Sequence, residues 1–247
     1  MYGAAKDVNG ILSSQALSQM RYNPIAGNPN DPELTTSDFD IRHRVFASIA
    51  YTEEFFPNAY TTVSLFYNGQ SGQPYSFTVS GDINGDGFDG NDLFYIPKND
   101  ADIMLGSIVG GKFVSNAAYY TQLDNFIANN SYLNGHRGNI ARRNADRAPW
   151  NSYLDFHLSQ DIPVIEGHKF TVSFDILNVL NLLKKDWGWV NLVTNNSYNI
   201  VKLVGTIRDP QYRPQYVYQP ITTSLTPWAI AQTSSRWQMQ LGIRYAM

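Results

Sequence analysis

The chain has 247 residues, a formal net charge of −3 and a charged fraction of only 16%, beside 14% aromatic residues and no cysteine. So few charges do not cover the surface of an ordinary soluble domain, which carries about 25% charged residues, and the acidic balance excludes the basic face of a nucleic-acid-binding protein. Disulfides are excluded, and no apolar run reaches the roughly 20 residues of a membrane-spanning helix, so only a β-barrel could carry this chain through a bilayer.

Hydrophobic alternation with a period of two predicts β-strands in several segments of the chain. It is clearest in 168–179, where Thr171, Ser173 and Asp175 separate four apolar residues, and again in 236–247. In chain order, the predicted strands are 2–8, 38–54, 59–69, 149–162, 168–179, 190–206, 212–222 and 236–247, about eight in all.

The connections between these strands alternate between short and long. The short ones are Phe55–Asn58, Pro163–Gly167 and Ile207–Gln211, and the long ones are 9–37, 81–148, 180–189 and 223–233. Transmembrane barrels have short periplasmic turns and long extracellular loops. The pattern therefore favours an all-β fold, a segment of an antiparallel transmembrane β-barrel, although a soluble β-sandwich has similarly alternating strands and stays open.

In such a barrel, the apolar positions of the last strands face lipid and the polar positions between them face the lumen. Tryptophan and tyrosine near strand ends fit the aromatic girdles found at headgroup depth. The residues predicted to face the membrane are Phe170, Val172, Phe174, Ile176, Trp237, Leu241, Ile243 and Tyr245.

The strongest chemical signal is a DxNxDG sequence within residues 80–97. Asp82, Asn84 and Asp86 place oxygen atoms at alternate positions, and Gly87 permits the sharp turn that wraps such oxygens around a hard cation. Calcium is the cation that this donor set favours. The expected role is structural, because the acidic residues have no catalytic partner nearby.

Two further ligands are expected to complete the calcium shell, the Phe88 carbonyl and the Asp92 carboxylate. An EF-hand carries a closing glutamate at its twelfth position, where this chain has Leu93. The alternative is a loop of Asx-turns, in which Asp and Asn side chains bind their own backbone without an ion. With calcium bound, the site would rigidify the long extracellular loop predicted at 81–148.

A cluster of basic residues occupies 136–150. Such a cluster can bind an anionic substrate or the phosphates of lipopolysaccharide. Alternatively, its arginines brace the mouth of the barrel by pairing with loop carboxylates such as Asp146 and Asp155. The arginines concerned are Arg137, Arg142, Arg143 and Arg147.

No catalytic constellation is predicted. None of the four histidines has a serine or a pair of carboxylates at a spacing that suggests nucleophilic or acid–base chemistry. We therefore expect that the chain is not an enzyme.

Four blocks in a fixed order carry a resemblance to a known family: SDFDIRHRVFASIAY, SGQPYSFTVSGDINGDGFDGNDLFYIP, HRGNIARRNADRAPWNSYLDF and FDILNVLNLLKKDWGW. Together they resemble the C-terminal barrel region of Oar-like TonB-dependent receptors, relatives of the SusC type, over nearly the whole chain. One departure is Met247, where outer-membrane barrels usually end in an aromatic residue.

The resemblance implies a barrel of about 22 strands with an N-terminal plug, in the outer membrane, that imports large or scarce substrates. The chain would supply about eight of these strands, and the plug and the other strands would lie outside it. The implied partners are outer-membrane lipid, the TonB complex acting through the missing part, and a possible surface lipoprotein. The first twenty residues lack the features of a signal peptide, so a longer protein is expected.

A competing interpretation is a secreted, calcium-dependent β-sandwich that works as an adhesin or lectin and uses the loop around Asp82 to hold its ligand. Detergent dependence separates the two, because a sandwich is soluble without the missing strands.

Overall fold

The computed structural model describes residues 1–10, 13–208, 214–220 and 226–247. In chain order the strands are β1 (Lys6–Asp7), β2 (Thr35–Thr36), β3 (Arg44–Phe56), β4 (Ala59–Gln70), β5 (Pro74–Ser80), β6 (Met104–Val109), β7 (Lys112–Ser115), β8 (Asp146–Arg147), β9 (Asn151–Ile165), β10 (His168–Leu177), β11 (Asn191–Leu192), β12 (Ser197–Arg208), β13 (Pro214–Pro220), β14 (Ala229–Ile230) and β15 (Gln238–Ala246). The helices are α1 (Ala16–Arg21), α2 (Ala117–Ala128), α3 (Ser131–Gly135), α4 (Val179–Leu183) and α5 (Gln232–Ser235), with 3-10 turns at Asp100–Asp102 and Thr194–Asn196. Within these ranges, every helix is too short or too polar to cross a membrane.

Five long antiparallel strands form a sheet that we call the wall, in the order β15-β10-β9-β4-β3. Its two hairpins turn on residues that accept a positive φ: Gly167 at +79° between β9 and β10, and Asn58 at 61° between β3 and β4. Long excursions, 71–150 and 178–237, separate the other neighbouring strands. Within the wall, connections therefore alternate between short and long, as predicted.

The second large sheet, which we call the cap, has the order β7-β6-β13-β12-β5-β8. It is mixed, because β12 runs parallel to β5 and β13 runs parallel to β6. Its strands come from both long excursions, and the hydrophobic core packs around it. Helix α2 contributes Leu123, Phe126 and Ile127 to that core. Their spacing places them on one side of the helix.

Three sequence predictions need correction. Residues 81–148 are not a loop without structure of its own, since they contain β6, β7, α2, α3 and much of the core. The predicted strands 190–206 and 212–222 do not belong to the wall, because β12 and β13 pair with each other in the cap. The wall thus has five strands, not about eight. Alternation reports a half-buried strand but not the sheet that it joins.

The predicted strand at 2–8 shortens to β1 and to a bridge between Tyr2 and His43. The predicted turn at Ile207–Gln211 and parts of the segments 9–37, 212–222 and 223–233 lie outside the described residues.

The wall is an open sheet. Among the described strands, β15 pairs only with β10, and β3 pairs only with β4. Residues 1–3 run beside the residues that lead into β3, where the Gly3 N–H donates to the Arg42 carbonyl at 3.0 Å. Within the described residues, β15 makes no pairing with the N-terminal segment, so the described wall is not closed on itself.

Candidate functional site

The register of the wall aligns apolar side chains from all five strands on one side, which we call the apolar face. One complete row across the sheet consists of Tyr51, Val63, Leu158, Phe174 and Leu241. The rows on either side add Val45, Ala47, Ile49, Leu65, Tyr67, Leu154, Phe156, Phe170, Val172, Ile176, Met239, Ile243 and Tyr245. The predicted membrane-facing residues of β10 and β15 all lie on this face.

This apolar face is largely uncovered. Ile49, Leu241 and Ile243 are 69%, 71% and 72% exposed, and Trp237, just before β15, is 42% exposed. A contiguous apolar surface of this kind marks a contact with a membrane or with another protein.

The opposite side of the wall is mostly polar, although Phe46, Phe66 and Leu177 also lie on it. Its central row contains Ser64, His157, Asp175 and Gln240, and His157 Nδ1 lies 2.6 Å from Asp175 Oδ1. The predicted lumen residues also lie here: Thr171, Ser173, Asp175, Gln238, Gln240 and Arg244. A sheet with one apolar and one hydrated side matches the wall of a membrane barrel.

The DxNxDG loop forms a chain of Asx-turns. The Asp82 carboxylate accepts hydrogen bonds from the backbone N–H groups of Gly85 at 2.7 Å, Asp86 at 3.2 Å and Gly87 at 2.9 Å. The Asn84 side-chain oxygen accepts from the Asp86 N–H at 2.9 Å. Among the described residues, no three His, Asp or Glu side chains group closely enough to hold a metal ion. A cation here would therefore depend on amide and carbonyl oxygens as well.

Two amides and a buried carboxylate complete this loop. Asp86 Oδ2 accepts from Asn84 Nδ2 at 3.2 Å and from Asn91 Nδ2 at 2.8 Å, while the Asn91 oxygen is buried without a hydrogen-bond partner. Burial raises the pKa of Asp92, and the charges of Asp86 and Asp82 raise it further, against hydrogen bonds from two backbone N–H groups. The Phe88 N–H donates to Asp86 Oδ1 at 2.8 Å.

Each arginine of the basic cluster pairs with an acidic side chain. The pairs are Arg137 with Asp124 at 2.8 Å, Arg142 with Glu33 at 3.5 Å, Arg143 with Asp7 at 2.6 Å and with Asp38 at 3.7 Å, and Arg147 with Asp40. These partners differ from the two that the sequence suggested. Asp146 accepts from the Tyr75 hydroxyl at 2.9 Å, and Asp155 accepts from the Asn178 N–H at 2.8 Å.

The buried part of this network joins the cap to the segment that precedes β3. Arg143 is only 4% exposed and Asp40 only 2%. Burial raises the pKa of Asp40, but the Ala5 N–H and the charges of Arg147 and Arg42 outweigh that effect and hold the pKa below its ordinary value. The guanidinium groups therefore stabilise the ionised carboxylate.

Sequence reasoning missed a compact turn in the segment predicted as the loop 180–189. Asn178, with a φ of 56°, donates from its side chain to the carbonyls of Gly188 at 2.9 Å and Ser235 at 3.0 Å. Trp189 Nε1 donates to the Lys185 carbonyl at 2.7 Å. Asparagine and glycine at the two ends are the signal that marks this turn, since both accept a positive φ. A cavity of about 370 Å³ lies beside it.

Comparison with known proteins gives one match. A family model described as "Outer membrane beta barrel domain" matches residues 5–208, which include four of the five wall strands and most of the cap. No curated protein and no solved structure matches the chain. The match covers well over half of the chain and agrees with a wall that has one apolar and one polar side. The chain therefore belongs to the family of outer membrane beta barrel domains, and its location is the outer membrane.

Proposed function

We propose that this chain is the C-terminal barrel portion of a TonB-dependent receptor that imports a large or scarce substrate. The observation that carries the proposal is the two-sided open wall. Among the described residues, the outer edge of β15 is unpaired, and the outer edge of β3 pairs with the N-terminal segment only at Arg44. Unpaired strand edges are unstable in lipid, so further strands of the same barrel would cover them. The receptor type rests on the four sequence blocks that resemble Oar-like proteins.

Within this proposal, the wall and the cap have different tasks. The apolar face contacts lipid, and the polar side lines part of the lumen. The cap stands at the end of the wall opposite the two hairpins, on the extracellular side, and presents the surface that substrates meet first. The plug and the TonB contact belong to the part of the receptor outside this chain. We propose no catalytic step, and the secreted sandwich loses its support because the chain is located in the outer membrane.

Cysteine labelling of the full-length receptor in intact cells tests this orientation, because the chain has no cysteine of its own. Ser115→Cys, in β7 of the cap, should react with a membrane-impermeant maleimide from outside. Glu166→Cys, in a hairpin of the wall, should react only after the outer membrane is permeabilised. Equal labelling of both positions in intact cells would contradict the proposal.

The TonB dependence needs its own test. Deletion of the gene that encodes this receptor and deletion of TonB should each abolish growth on the nutrient that the receptor imports. Deleting both should have no larger effect than either deletion alone. A growth defect that is independent of TonB would leave a barrel of another transport class.

We also propose that the DxNxDG loop binds structural calcium, an addition that does not depend on the receptor type. It is supported by the unpartnered Asn91 oxygen, in a side chain 1% exposed that contacts Asp86. Side-chain amide orientations are assigned from hydrogen bonding, and a flipped Asn91 would turn its oxygen toward the loop. The other oxygens come from Asp82, Asn84 and Asp92.

Calorimetric titration of calcium into the full-length receptor tests this site. Asp82→Asn should weaken calcium binding at least about tenfold, since carboxylate charge sets the affinity of such loops. The matched control is Asp100→Asn, outside the loop, which should bind like the parent protein. If the parent protein shows no heat of calcium binding, or if Asp82→Asn and Asp100→Asn bind calcium equally well, the loop is a set of Asx-turns without an ion.

A further inference from the structure

We propose that a pocket at the cap end of the wall binds the phosphorylated saccharide headgroup of an outer-leaflet glycolipid. We call it the rim pocket, and Trp150, Trp187, Trp189, Asp186, Asn191 and Ser152 line it. The inference rests on the proposed barrel, because it needs the apolar face of the wall to meet lipid.

The rim pocket lies on the apolar side of the wall. A Cβ atom placed on Gly69 would come within 2.9 Å of the Trp150 ring and within 2.6 Å of the Tyr67 hydroxyl. Gly69 stands in register with Val45 and Ser152, so its missing side chain points to the apolar face. The Trp150 indole therefore covers the end of that face, beyond its last row of aliphatic side chains.

The lining suits a sugar. Trp150 and Trp187 are 45% and 49% exposed, so parts of both ring systems are free for contact. The C–H faces of sugar rings stack on indoles, while Asp186 and Asn191 can bond sugar hydroxyls. Three tryptophans with a few polar groups in a cavity of about 370 Å³ match the general character of small-ligand sites.

The one charged side chain that lines the pocket is Asp186, whereas two lysines stand beside the pocket, so a phosphate would bind at the lysine margin and the sugar beside Asp186. Lys184 Nζ lies 5.5 Å from the centroid of the Trp187 ring, and Lys185 follows directly in the chain. Cations with an aromatic partner at the membrane boundary bind anionic headgroups. Just before these lysines, Leu182 and Leu183 are 37% and 68% exposed. Apolar residues followed by lysines are the order expected where a chain passes from acyl region to headgroups.

The pocket is preorganised. The Asn178 amide holds the Gly188 carbonyl, and the Trp189 ring nitrogen is bonded to the Lys185 backbone. A Cβ on Gly188 would lie 2.0 Å from the Asn178 side-chain oxygen, so the turn has little room to change. A rigid site loses less entropy when its ligand binds.

The position of the pocket favours a glycolipid over a soluble glycan as its ligand. A soluble glycan would approach through the lumen or the extracellular surface, whereas this pocket continues a face whose aliphatic rows are exposed. A ligand that fills it and keeps its own apolar part on that face is a lipid. The glycolipid of the outer leaflet combines phosphate, sugar and acyl chains in one molecule.

Binding of purified lipid A to the full-length receptor tests the inference. The receptor is delipidated in dodecyl maltoside and titrated with lipid A, with native mass spectrometry as the readout. The double variant K184Q/W187A should bind about tenfold more weakly or worse, which corresponds to about 1.4 kcal/mol. K184Q/W187F keeps an aromatic ring and should lose less affinity. The control Lys112→Gln, an exposed lysine in β7, should bind like the parent receptor.

Three outcomes are informative. Equal lipid A affinity in K184Q/W187A and the parent would overturn the inference, and so would equally tight binding of the acyl-free core oligosaccharide. Heat-modifiable mobility in gels reports whether each variant still forms a barrel. A parent receptor that fails to form a membrane barrel would refute the proposed function itself, whereas intact barrels with unchanged lipid A binding would refute only the rim pocket.

Discussion

The cap encloses Phe77, Ile96 and Leu105, each 0% exposed, whereas the wall leaves Ile49 and Ile243 at 69% and 72%. The same classes of apolar residue build both sheets, so composition does not separate them. The core cluster contains no residue of the five wall strands. The cap therefore carries its own apolar interior and is stable against water, while the wall depends on an apolar solvent outside the protein.

The largest expected effect comes from the cap core. Phe77 packs edge-on against Tyr75 at 5.2 Å and against Phe126 at 6.3 Å between ring centroids. Phe77→Ala should lower the free energy of unfolding of the cap by about 3–5 kcal/mol, because it leaves a cavity. Limited proteolysis of the cap at increasing denaturant concentrations measures this loss of stability.

Phe170→Ala in the wall is the matched change, since Phe170 is already 39% exposed. It should leave the proteolysis of the cap unchanged. Equal sensitivity of the cap to both substitutions would mean that the two sheets share one core.

A smaller effect should distinguish the two sides of the wall. Val172→Arg places a charge on the apolar face and should cost about 2–4 kcal/mol of folding stability near the bilayer centre. Ser173→Arg, one residue further, turns to the polar side and should cost much less. Urea titration of the protein in lipid vesicles gives both values, and a larger loss at Ser173 would reverse the assignment of the faces.

A substitution in a hairpin turn of the wall should lower the folding stability less. Gly167 has a φ of +79°, and no atom lies within 4 Å of a Cβ built on it. Gly167→Ala should therefore cost only the backbone strain, about 1–2 kcal/mol. Gly167→Asn should recover part of it, because asparagine tolerates this region. Thermal unfolding of the membrane-inserted protein is the measurement, and a loss well above this range would indicate a contact at the turn.

The smallest expected effect is on how the stability of the cap depends on pH. Burial raises the pKa of Asp40, whereas hydrogen bonds and the Arg147 charge lower it, and the net effect in the folded state is a lowered pKa. A lowered pKa means that the ionised group stabilises the fold above the pKa of the unfolded chain, and that this contribution is lost as pH falls through the folded pKa. Between about pH 6 and pH 2, Asp40→Asn should flatten the acid loss of cap stability. An unchanged pH profile would contradict the assignment.

The wall was predictable because its apolar and polar residues alternate with the two-residue period of a β-strand. Alternation in β10 and β15 places Phe174 and Leu241 on one side and Asp175 and Gln240 on the other, with no need for tertiary information. The short connections predicted between alternating strands, Phe55–Asn58 and Pro163–Gly167, contain the turns of the two hairpins. Of the candidate sites, the Asx-turns around Asp82 were one of two interpretations of the sequence.

The cap was not predictable in the same way. Residues 74–79 of β5 are all buried, although Ser76 and Thr78 alternate with Tyr75, Phe77 and Val79, so the sequence pattern does not show that both sides of this strand are covered. Its parallel partner is far away in the chain, and the Thr78 hydroxyl bonds Asn199, 121 positions later. The acidic partners of Arg143 and Arg147 also lie more than 100 residues upstream, where spacing gives no guide.

The pairing of β5 with β12 also fixes an order of events during synthesis. Residues 74–80 have no neighbour on their β12 side until residues 197–208 have been made and delivered. Closing so long a loop is entropically slow. Meanwhile Tyr75, Phe77 and Val79, which end at no more than 2% exposure, are open to any apolar surface nearby. The exported chain should thus depend on periplasmic chaperones until β5 and β12 pair, and a chain truncated before residue 197 should aggregate through β5.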